Sequence, residues 1–442
     1  MSAGRVRNLV AMAVALMLTL AGCGGGTGGP GSSSGDSSKL VIWHMEQPPN
    51  RVAAWQKIID EFNKTNPSVK VEQQVQDWNQ VYTKIAGAVQ SRTQPDILFT
   101  IPDFTTYVKQ MGTVQPVTNI VNEINSQHKF LEPALAAYRS GDEYLAVPLY
   151  GMVQMLWYRK DLFSKAGISG EPKTWNQLME DARKLTTGKQ YGIALPAGKN
   201  LATDQVVYSF MITAGAENLY SGPDKIAFDN PKTVETFKYY NDLLKFSPPD
   251  SANYSWGEPQ AAFNNGTAAM AIEKGQYLGP FEKESGRPAS DLGCAPIPQP
   301  DSGGQPGSIY YSNGAMVLTS DANKQKVASD FFKFVLDPAN YGKFLNAEPG
   351  LFLPLTEDGA DAQSWRSNPV VSKYKECVAG MLEQSKTGAL FGFTGGQYNE
   401  SIGKISGQNI IAQTIQKMYV GKTSPEEAVR WGQEQMTSAV SS

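Results

Sequence analysis

The sequence is poor in the residues on which most catalytic and metal sites depend. Its 442 residues include only two histidines, His44 and His128, and three cysteines. No HExxH, CxxC or EF-hand loop pattern occurs. Carboxylates are as plentiful as on any solvated surface, and nothing singles out a glycoside hydrolase pair among them. We therefore predict a protein that is not an enzyme and that needs neither a metal nor a cofactor.

Long apolar segments and excess positive charge are also missing. After residue 20, no apolar run is long enough to cross a membrane as a helix. The formal net charge is −3. Surfaces that bind nucleic acid or anionic lipid are normally strongly basic, so we predict neither partner.

The few cysteines fall into two groups. Cys23 lies near the amino terminus, and only Cys294 and Cys377 occur after it. In an oxidising compartment these two thiols can form a disulfide. They can equally be separate buried cysteines that act as small apolar side chains. The sequence leaves both alternatives open.

The amino terminus carries the features of an export signal. Arg5 and Arg7 precede an apolar run, Leu9 to Leu20, that is too short to span a bilayer. Leu20-Ala21-Gly22-Cys23 then resembles the lipobox of bacterial lipoproteins, in which cleavage leaves the cysteine as the lipidated amino terminus. The alternative is an ordinary secretory signal with an incidental cysteine. We predict a lipoprotein signal peptide over 1–22 and lipidation of Cys23.

A flexible tether is predicted over 23–38. This segment consists mostly of Gly, Ser, Thr and Pro, and it lacks the apolar side chains that a folded core requires. We therefore expect an extracytoplasmic protein that contacts the membrane only through a lipid anchor, at the outer face of the bacterial cell membrane.

Strands and helices alternate from residue 39 onward, which predicts an α/β fold. The first predicted elements are strands over 39–43, 69–72 and 96–99 and helices over 52–62 and 79–92. This order implies a parallel sheet with right-handed crossovers. Ligands of such sheets bind at the carboxyl ends of the strands. Those ends carry His44 to Glu46, Asp77-Trp78 and Pro102-Asp103.

A second α/β section follows the first. Its predicted elements are helices over 175–187, 206–214 and 234–246, strands over 191–195 and 268–273, and later helices that include 327–335, 411–418 and 426–436.

Several short segments follow one another in a characteristic order over nearly the whole chain from residue 39. They are Ile42-Trp43-His44, Gln94 to Phe99, Tyr144 to Pro148, Leu156 to Phe163, Pro172 to Trp175, Phe263 to Met270 and Gly421 to Ala428. Together they resemble the bacterial extracellular solute-binding proteins of the sugar-binding type, the group that contains maltose-binding protein.

The resemblance implies a periplasmic-binding-protein fold, in which two discontinuous α/β lobes joined by a hinge close on a ligand. The implied boundaries are 39–150 and 319–360 for the N-lobe, 155–312 and 361–442 for the C-lobe, and 151–154 and 313–318 for the hinge crossings. A monomer of this kind delivers a small carbohydrate to the permease subunits of an ABC importer with a cytoplasmic ATPase. The alternatives are a glycerol-phosphate-type ligand or, as a different function, a surface glycoside hydrolase.

Sugar sites combine aromatic platforms with planar polar side chains. The resemblance implies that Asp103 contacts sugar, although it can instead cap the following helix. It also implies that Tyr277 stacks on sugar, at a position where the family often has tryptophan. His44 and Glu46 follow the first strand, where the family often contacts ligand, or else they lie on the rim of the cleft.

The remaining candidates come from local patterns. Trp78 and Trp256 lie in polar loops, where core packing is less expected. Asp204 and Gln205 begin a helix that should face the cleft, although Asp204 can simply cap that helix. The complete set of predicted ligand-binding residues is His44, Glu46, Trp78, Asp103, Asp204, Gln205, Trp256, Gln276, Tyr277, Phe352 and Phe391.

Overall fold

A computed structural model describes residues 39–393 and 399–441 of the chain. The predicted signal peptide over 1–22, the predicted tether over 23–38 and the glycine-containing segment 394–398 lie outside these residues. Within the described residues, no helix combines the length and the apolar composition that crossing a membrane requires.

The strands in chain order are β1 Lys39–His44, β2 Lys70–Val75, β3 Ile97–Thr100, β4 Arg139–Ser140, β5 Glu143–Tyr144, β6 Val147–Val153, β7 Met155–Arg159, β8 Tyr220–Gly222, β9 Lys225–Ile226, β10 Met270–Glu273, β11 Leu292–Ala295 and β12 Tyr310–Val317.

The helices in chain order are α1 Pro49–Thr65, α2 Trp78–Ser91, α3 Pro102–Lys109, α4 Thr118–His128, α5 Glu132–Ala136, α6 Lys160–Lys165, α7 Trp175–Leu185, α8 Leu201–Ala214, α9 Pro231–Leu243, α10 Gly257–Asn264, α11 Phe281–Ser285, α12 Ala322–Leu336, α13 Pro338–Leu345, α14 Glu357–Asp361, α15 Gln363–Arg366, α16 Pro369–Lys373, α17 Lys375–Lys386, α18 Ile402–Ser406, α19 Ile410–Tyr419 and α20 Pro425–Ser441.

The larger sheet has the strand order β2-β1-β3-β12-β6. β1 pairs in parallel with both β2 and β3, as the strand–helix alternation predicts. β12 then pairs antiparallel with β3 and with β6. Helix α1 packs here through Trp55, Ile59 and Phe62, which recur every three to four residues and are buried. The Trp55 ring lies edge-on to Phe99 of β3, with ring centres 4.9 Å apart.

The smaller sheet has the order β10-β7-β11, and both outer strands run antiparallel to β7. Trp157 at its centre is fully buried and donates its indole N–H to the Glu273 carbonyl oxygen at 2.8 Å. Cys294 of β11 is bonded to Cys377 of α17, with Cα atoms 5.7 Å apart. Of the two alternatives that the sequence leaves open, the structure has the disulfide.

The strand predicted over 191–195 is wrong as a continuous strand. Tyr191 and Ala194 form only isolated parallel bridges, to Ala268 just before β10 and to Ala271 within β10. Between them, the backbone N–H groups of Gly192 and Ile193 both donate to the Phe246 carbonyl oxygen instead. An extended apolar segment therefore lies next to the sheet without completing a ladder.

The chain passes between the two sheets in two places. Gln154 alone separates β6 of the larger sheet from β7 of the smaller one, inside the hinge crossing expected at 151–154. The return passage is residues 296–309, between β11 and β12. The crossing expected at 313–318 instead falls largely inside β12, which is already part of the larger sheet.

Candidate ligand-binding site

A cavity of about 480 Å³ lies among the ends of the parallel strands, β12, α8, α10 and the segment after β10. Its volume is within the range of small-molecule sites. The residues that line it are Met45, Glu46, Gln47, Pro48, Arg51, Trp78, Ile101, Met152, Leu201, Gln205, Trp256, Gly257, Gln260, Lys274, Gln276, Tyr311, Asn313 and Leu351.

Both sheets and their helices contribute to this lining. Glu46 follows β1, Trp78 follows β2 and Ile101 follows β3, so the carboxyl ends of all three parallel strands meet at the cavity. Gln205 of α8 and Gln276, which follows β10, come from the side of the smaller sheet. The cavity can therefore hold a ligand that touches both halves of the molecule at once.

One charged group at the cavity consists of Glu46, Arg51 and Glu348, here called the arginine cluster. Arg51 Nη1 lies 2.9 Å from Glu46 Oε2, and Arg51 Nε lies 3.0 Å from Glu348 Oε2. Burial disfavours the charged guanidinium, but the two carboxylates outweigh it and raise the pKa of Arg51 above its ordinary value. The Tyr150 hydroxyl donates to Glu46 Oε1. Each member of the cluster therefore already has a protein partner.

A second charged group, here called the lysine cluster, consists of Gln205, Trp256, Glu273 and Lys274. Lys274 Nζ donates to Gln205 Oε1 at 2.7 Å and to Glu273 Oε1 at 3.0 Å. It also lies 4.2 Å from the centre of the Trp256 ring. Burial lowers the pKa of Lys274, and the Glu273 carboxylate opposes that effect. One ammonium thus fixes both an amide and an indole that line the cavity.

Four lining side chains hold polar atoms without a hydrogen-bond partner anywhere in the described residues. They are the indole N–H of Trp256, the amide oxygen of Gln276, the hydroxyl of Tyr311 and the amide nitrogen of Asn313. Buried polar groups are normally satisfied, because leaving one unpaired costs about 1–3 kcal/mol. Two N–H donors, one hydroxyl and one acceptor are therefore unpaired on side chains that line the cavity, and a ligand with hydroxyl groups can both donate to and accept from them.

Apart from Gln47 and Gln260, most of the remaining wall is apolar or aromatic. It includes Met45, Ile101, Met152, Leu201 and Leu351, together with the half-buried ring of Trp78. Trp78 is held edge-on against Phe104, with ring centres 5.8 Å apart. A surface of this kind suits the apolar C–H faces of a ligand whose edges carry hydroxyl groups.

Five of the predicted residues line the cavity: Glu46, Trp78, Gln205, Trp256 and Gln276. The other six do not appear in its lining. Each of these six residues is buried.

His44 lies beneath the cavity floor, only 1% exposed. Its Nε2 lies 2.6 Å from the Gln73 side-chain oxygen, and its Nδ1 accepts the Glu46 backbone N–H at 3.2 Å. Burial lowers the pKa of His44, which favours the neutral ring that this accepting role requires. His44 therefore positions Glu46 and does not itself line the cavity.

Asp103 and Asp204 are both fully buried outside the lining. Asp103 lies in the first turn of α3, where Ile101 is the N-cap residue, so it does not cap that helix. Asp204 does not cap α8 either, because Asn200 does so. Asp204 instead accepts the backbone N–H of Ala412 at 2.6 Å, at the start of α19. Burial raises the pKa of Asp103 to about 6 and that of Asp204 to about 8.

The three remaining aromatic candidates are buried in the core and do not line the cavity. Tyr277 is completely buried and stacks parallel to Trp157 at 5.4 Å. Phe352 packs 4.1 Å from the Tyr150 ring, and Phe391 packs 4.8 Å from Tyr208.

The sequence analysis missed the two cations and the asparagine at the cavity. Arg51 lies in the first turn of α1, and Lys274 directly follows β10. Lys274 lies just beyond the end of a strand, which was the available signal, whereas Arg51 lies within a helix, seven residues after the end of β1. Asn313 was placed only in a hinge crossing, and its side chain lines the cavity from β12. Among the described residues, no group of three or more His, Cys, Asp or Glu side chains could hold a metal ion.

Comparison with known proteins identifies the kind of molecule that carries this cavity. The profile of a family described as bacterial extracellular solute-binding protein matches residues 47–342, which is more than half of the chain. The chain belongs to this family. Its members bind solutes outside the cytoplasm, so this is an extracytoplasmic solute-binding protein.

Individual relatives agree with this assignment. The putative ABC transporter periplasmic-binding protein YcjN of Escherichia coli K12 is 25% identical over 409 residues, covering 91% of this chain and 92% of the relative. The diacetylchitobiose-binding protein DasA of Streptomyces coelicolor is 24% identical over 346 residues, covering 75% of this chain and 78% of the relative.

A solved structure confirms the fold. The solute-binding protein of an ABC transporter from Thermotoga lettingae, crystallised with α-D-tagatose, superposes with a TM-score of 0.77 at 21% identity. The match covers 91% of this chain and 100% of that chain. The solute-binding protein described here therefore has the two-lobe periplasmic-binding-protein fold that the sequence motifs imply.

Proposed function

We propose that this protein is the binding subunit of an ABC importer and that it carries a sugar or oligosaccharide in the cavity between the two sheets. The observation that carries the proposal is the set of unpartnered polar atoms on Trp256, Gln276, Tyr311 and Asn313 beside apolar side chains. Hydroxyl groups can pair with all four atoms, and the apolar side chains match the faces of a sugar ring. Relatives named for diacetylchitobiose binding and solved with tagatose support this ligand class.

A glycerol-phosphate-type ligand is not favoured. Phosphate sites normally offer an arginine or a helix N-terminus whose donors are available. Arg51 does line the cavity, but Glu46 and Glu348 already bind its guanidinium. A phosphate would have to displace a carboxylate from Arg51.

We further propose that the protein returns its ligand unchanged. Glycoside hydrolysis normally uses two carboxyl groups on either side of the scissile bond. Glu46 is the only carboxylate among the residues that line the cavity, and both of its oxygens are bound by Arg51 and Tyr150. After a long incubation with a bound oligosaccharide, product analysis should find only the starting sugar.

The proposal includes closure of two lobes around the ligand. Residues that line the cavity come from both proposed lobes, which comprise 39–150 with 319–360 and 155–312 with 361–442. A ligand can contact both lobes at the same time only when the cleft between them is shut. Saturating sugar should lower the radius of gyration measured by small-angle X-ray scattering. An unchanged radius, with the ligand-free protein shown to be open, would contradict closure.

The proposal also includes a lipid anchor at Cys23, based on the Leu20-Ala21-Gly22-Cys23 pattern and the tether after it. A Cys23→Ala variant should leave the membrane fraction, because the lipid would be its only apolar anchor. Membrane retention equal to that of the wild type would exclude lipid anchoring at this residue. We expect the released protein to be a monomer that supplies permease subunits with a cytoplasmic ATPase.

A thermal-shift screen against mono- and oligosaccharides tests the ligand class. A sugar at concentration c that binds only the folded state stabilises it by RT ln(1 + c/Kd), so the melting temperature rises with the logarithm of the sugar concentration once that exceeds the dissociation constant. At least one sugar in the panel should give a concentration-dependent shift. If no sugar does so while amino acids or peptides do, the proposal is wrong.

A further inference from the structure

We infer that the cavity selects uncharged sugars and that Glu348 sets this selectivity by adding a second carboxylate to Arg51, on the side away from the cavity. The inference rests on the proposed function, because it assigns a charge class to the sugar that the cavity would hold. It concerns the arginine cluster, whose three members come from two distant parts of the sequence.

Arg51 is held on more than one side. Glu46 binds Nη1 at 2.9 Å and Glu348 binds Nε at 3.0 Å, while the guanidinium carbon lies 5.8 Å from the centre of the Phe352 ring. The Arg51 side chain is only 15% exposed. A guanidinium in this setting cannot turn towards an anionic ligand without giving up a charge-assisted hydrogen bond.

The formal charges around the cavity disfavour the binding of an anion. The arginine cluster combines one cation with two carboxylates, so its formal charge is −1. In the lysine cluster, Lys274 is balanced by Glu273 at 3.0 Å. An anionic sugar would be desolvated beside a net negative charge, with both lining cations already paired. An uncharged sugar avoids this cost.

Glu348 is the informative residue because it lies behind Arg51. It follows α13, is 7% exposed and does not appear in the cavity lining. It also accepts a hydrogen bond from the Asn50 side chain at 2.8 Å. A Glu348→Gln variant therefore removes one negative charge from the cluster while leaving every lining side chain in place. The amide oxygen can still accept from Arg51 or Asn50.

The experiment compares neutral sugars with their own anionic derivatives. For each neutral sugar bound in the thermal-shift screen, calorimetry measures the dissociation constants of that sugar, its uronate and its 6-phosphate. The wild type should bind the anionic forms at least about 100-fold more weakly than the neutral one. Glu348→Gln should narrow this ratio at least about tenfold, since one unit charge near the ligand is worth that much at an effective dielectric constant of about 20.

Two further variants keep the result interpretable. Glu383→Gln removes an exposed carboxylate that pairs only with Lys386 on the surface, so it should leave the ratio unchanged. If Glu348→Gln does not fold, Glu46→Gln is the alternative variant. It removes one negative charge from the same cluster, on the cavity side, and should also narrow the ratio between the dissociation constants of the anionic and neutral sugars. In Glu348→Gln, the increase in affinity for the anionic sugars should become smaller as the salt concentration rises, because added ions screen the interaction with Arg51.

Two results would overturn the inference while leaving the binding function intact. One is a wild-type protein that binds an anionic sugar as tightly as its neutral parent. The other is a folded Glu348→Gln protein whose neutral-to-anionic ratio equals that of the wild type. A wild-type protein that binds no sugar at all would refute the proposed function, and this inference with it.

Discussion

Lys274 covers one face of Trp256, with its ammonium 4.2 Å from the centre of the indole ring. The same ammonium is held by Gln205 and Glu273, so it cannot leave this position without losing two hydrogen bonds. A sugar ring can therefore stack only on the opposite face of the indole. This arrangement gives Trp256 a fixed orientation before any ligand arrives, which lowers the entropy cost of binding.

Replacing Trp256 should weaken sugar binding strongly. A Trp256→Ala variant loses the ring that would contact the apolar face of the sugar, and it also loses an unpartnered N–H donor. The expected cost is about 2–3 kcal/mol, which is about 30- to 100-fold in the dissociation constant. Calorimetry with the best sugar from the screen measures it. Trp256→Phe keeps a stacking ring without the N–H donor, so its dissociation constant should lie between those of the wild type and Trp256→Ala.

Removing the Tyr277 ring should change the free energy of unfolding without changing the contacts to the sugar. Tyr277 is completely buried against Trp157, and its hydroxyl has no partner in the described residues. Tyr277→Phe should therefore leave both the free energy of unfolding and the sugar affinity nearly unchanged. Tyr277→Ala should lower the free energy of unfolding by about 3–5 kcal/mol in urea titrations. A stable Tyr277→Ala protein that binds sugar 30-fold more weakly would reinstate Tyr277 as a ligand contact.

These two aromatic residues show what the sequence could and could not predict. Both lie near family motifs, and an aromatic side chain serves equally well as a core residue or as a sugar platform. Only the packing around each ring separates the two roles. Trp256 borders the cavity, whereas Tyr277 lies between Trp157 and Phe263. The parallel sheet was predictable because apolar runs and helical periodicity depend on local sequence.

Long-range polar contacts explain most of the remaining errors. Asp204 and Ala412 are 208 residues apart, so no local pattern could show that this carboxylate holds the start of α19. Arg51 was overlooked because an arginine in the first turn of a helix normally faces water. Its carboxylate partner Glu348 lies 297 residues away. By contrast, Glu46 and Trp78 were found because the ends of adjacent parallel strands must meet.

The stability of the protein should fall with rising pH through the titration of Asp204. Burial raises the pKa of Asp204 to about 8 in the folded protein, whereas an unfolded Asp has a pKa of about 3.9. The folded state thus retains a proton that the unfolded chain loses between these values. The stabilisation is complete below about pH 4 and is lost as the pH rises through about 8.

An Asp204→Asn variant removes this titration while keeping an acceptor for the Ala412 N–H. Its free energy of unfolding should therefore decrease less than that of the wild type between pH 6 and pH 9. The window starts at pH 6 because Asp103, with a pKa of about 6, contributes in the same direction at lower pH. Asp142→Asn, on an exposed turn, is the matched control. Identical pH profiles for wild type and Asp204→Asn would contradict the assignment.

Removing the disulfide should destabilise the fold without changing the cavity. Cys294 and Cys377 are separated by 83 residues, and a crosslink over a loop of this length restricts the unfolded chain considerably. A Cys294→Ser/Cys377→Ser variant should lose about 2–4 kcal/mol of unfolding free energy. Dithiothreitol should shift the wild-type urea transition and leave that of the double variant unchanged. If the wild type and the double variant have the same urea transition in the absence of dithiothreitol, the disulfide is absent.

We propose that an uncharged sugar binds reversibly in the cavity between the two sheets, and a crystal structure with the highest-affinity sugar from the screen tests this proposal most directly. We expect an intact sugar whose ring lies on the Trp256 face opposite Lys274, with hydroxyl groups bonded to Gln276 and Asn313. Arg51 should remain bound to Glu46 and Glu348. A sugar bound at any other site, or in this cavity with no contact to Trp256, Gln276 or Asn313, would contradict the account.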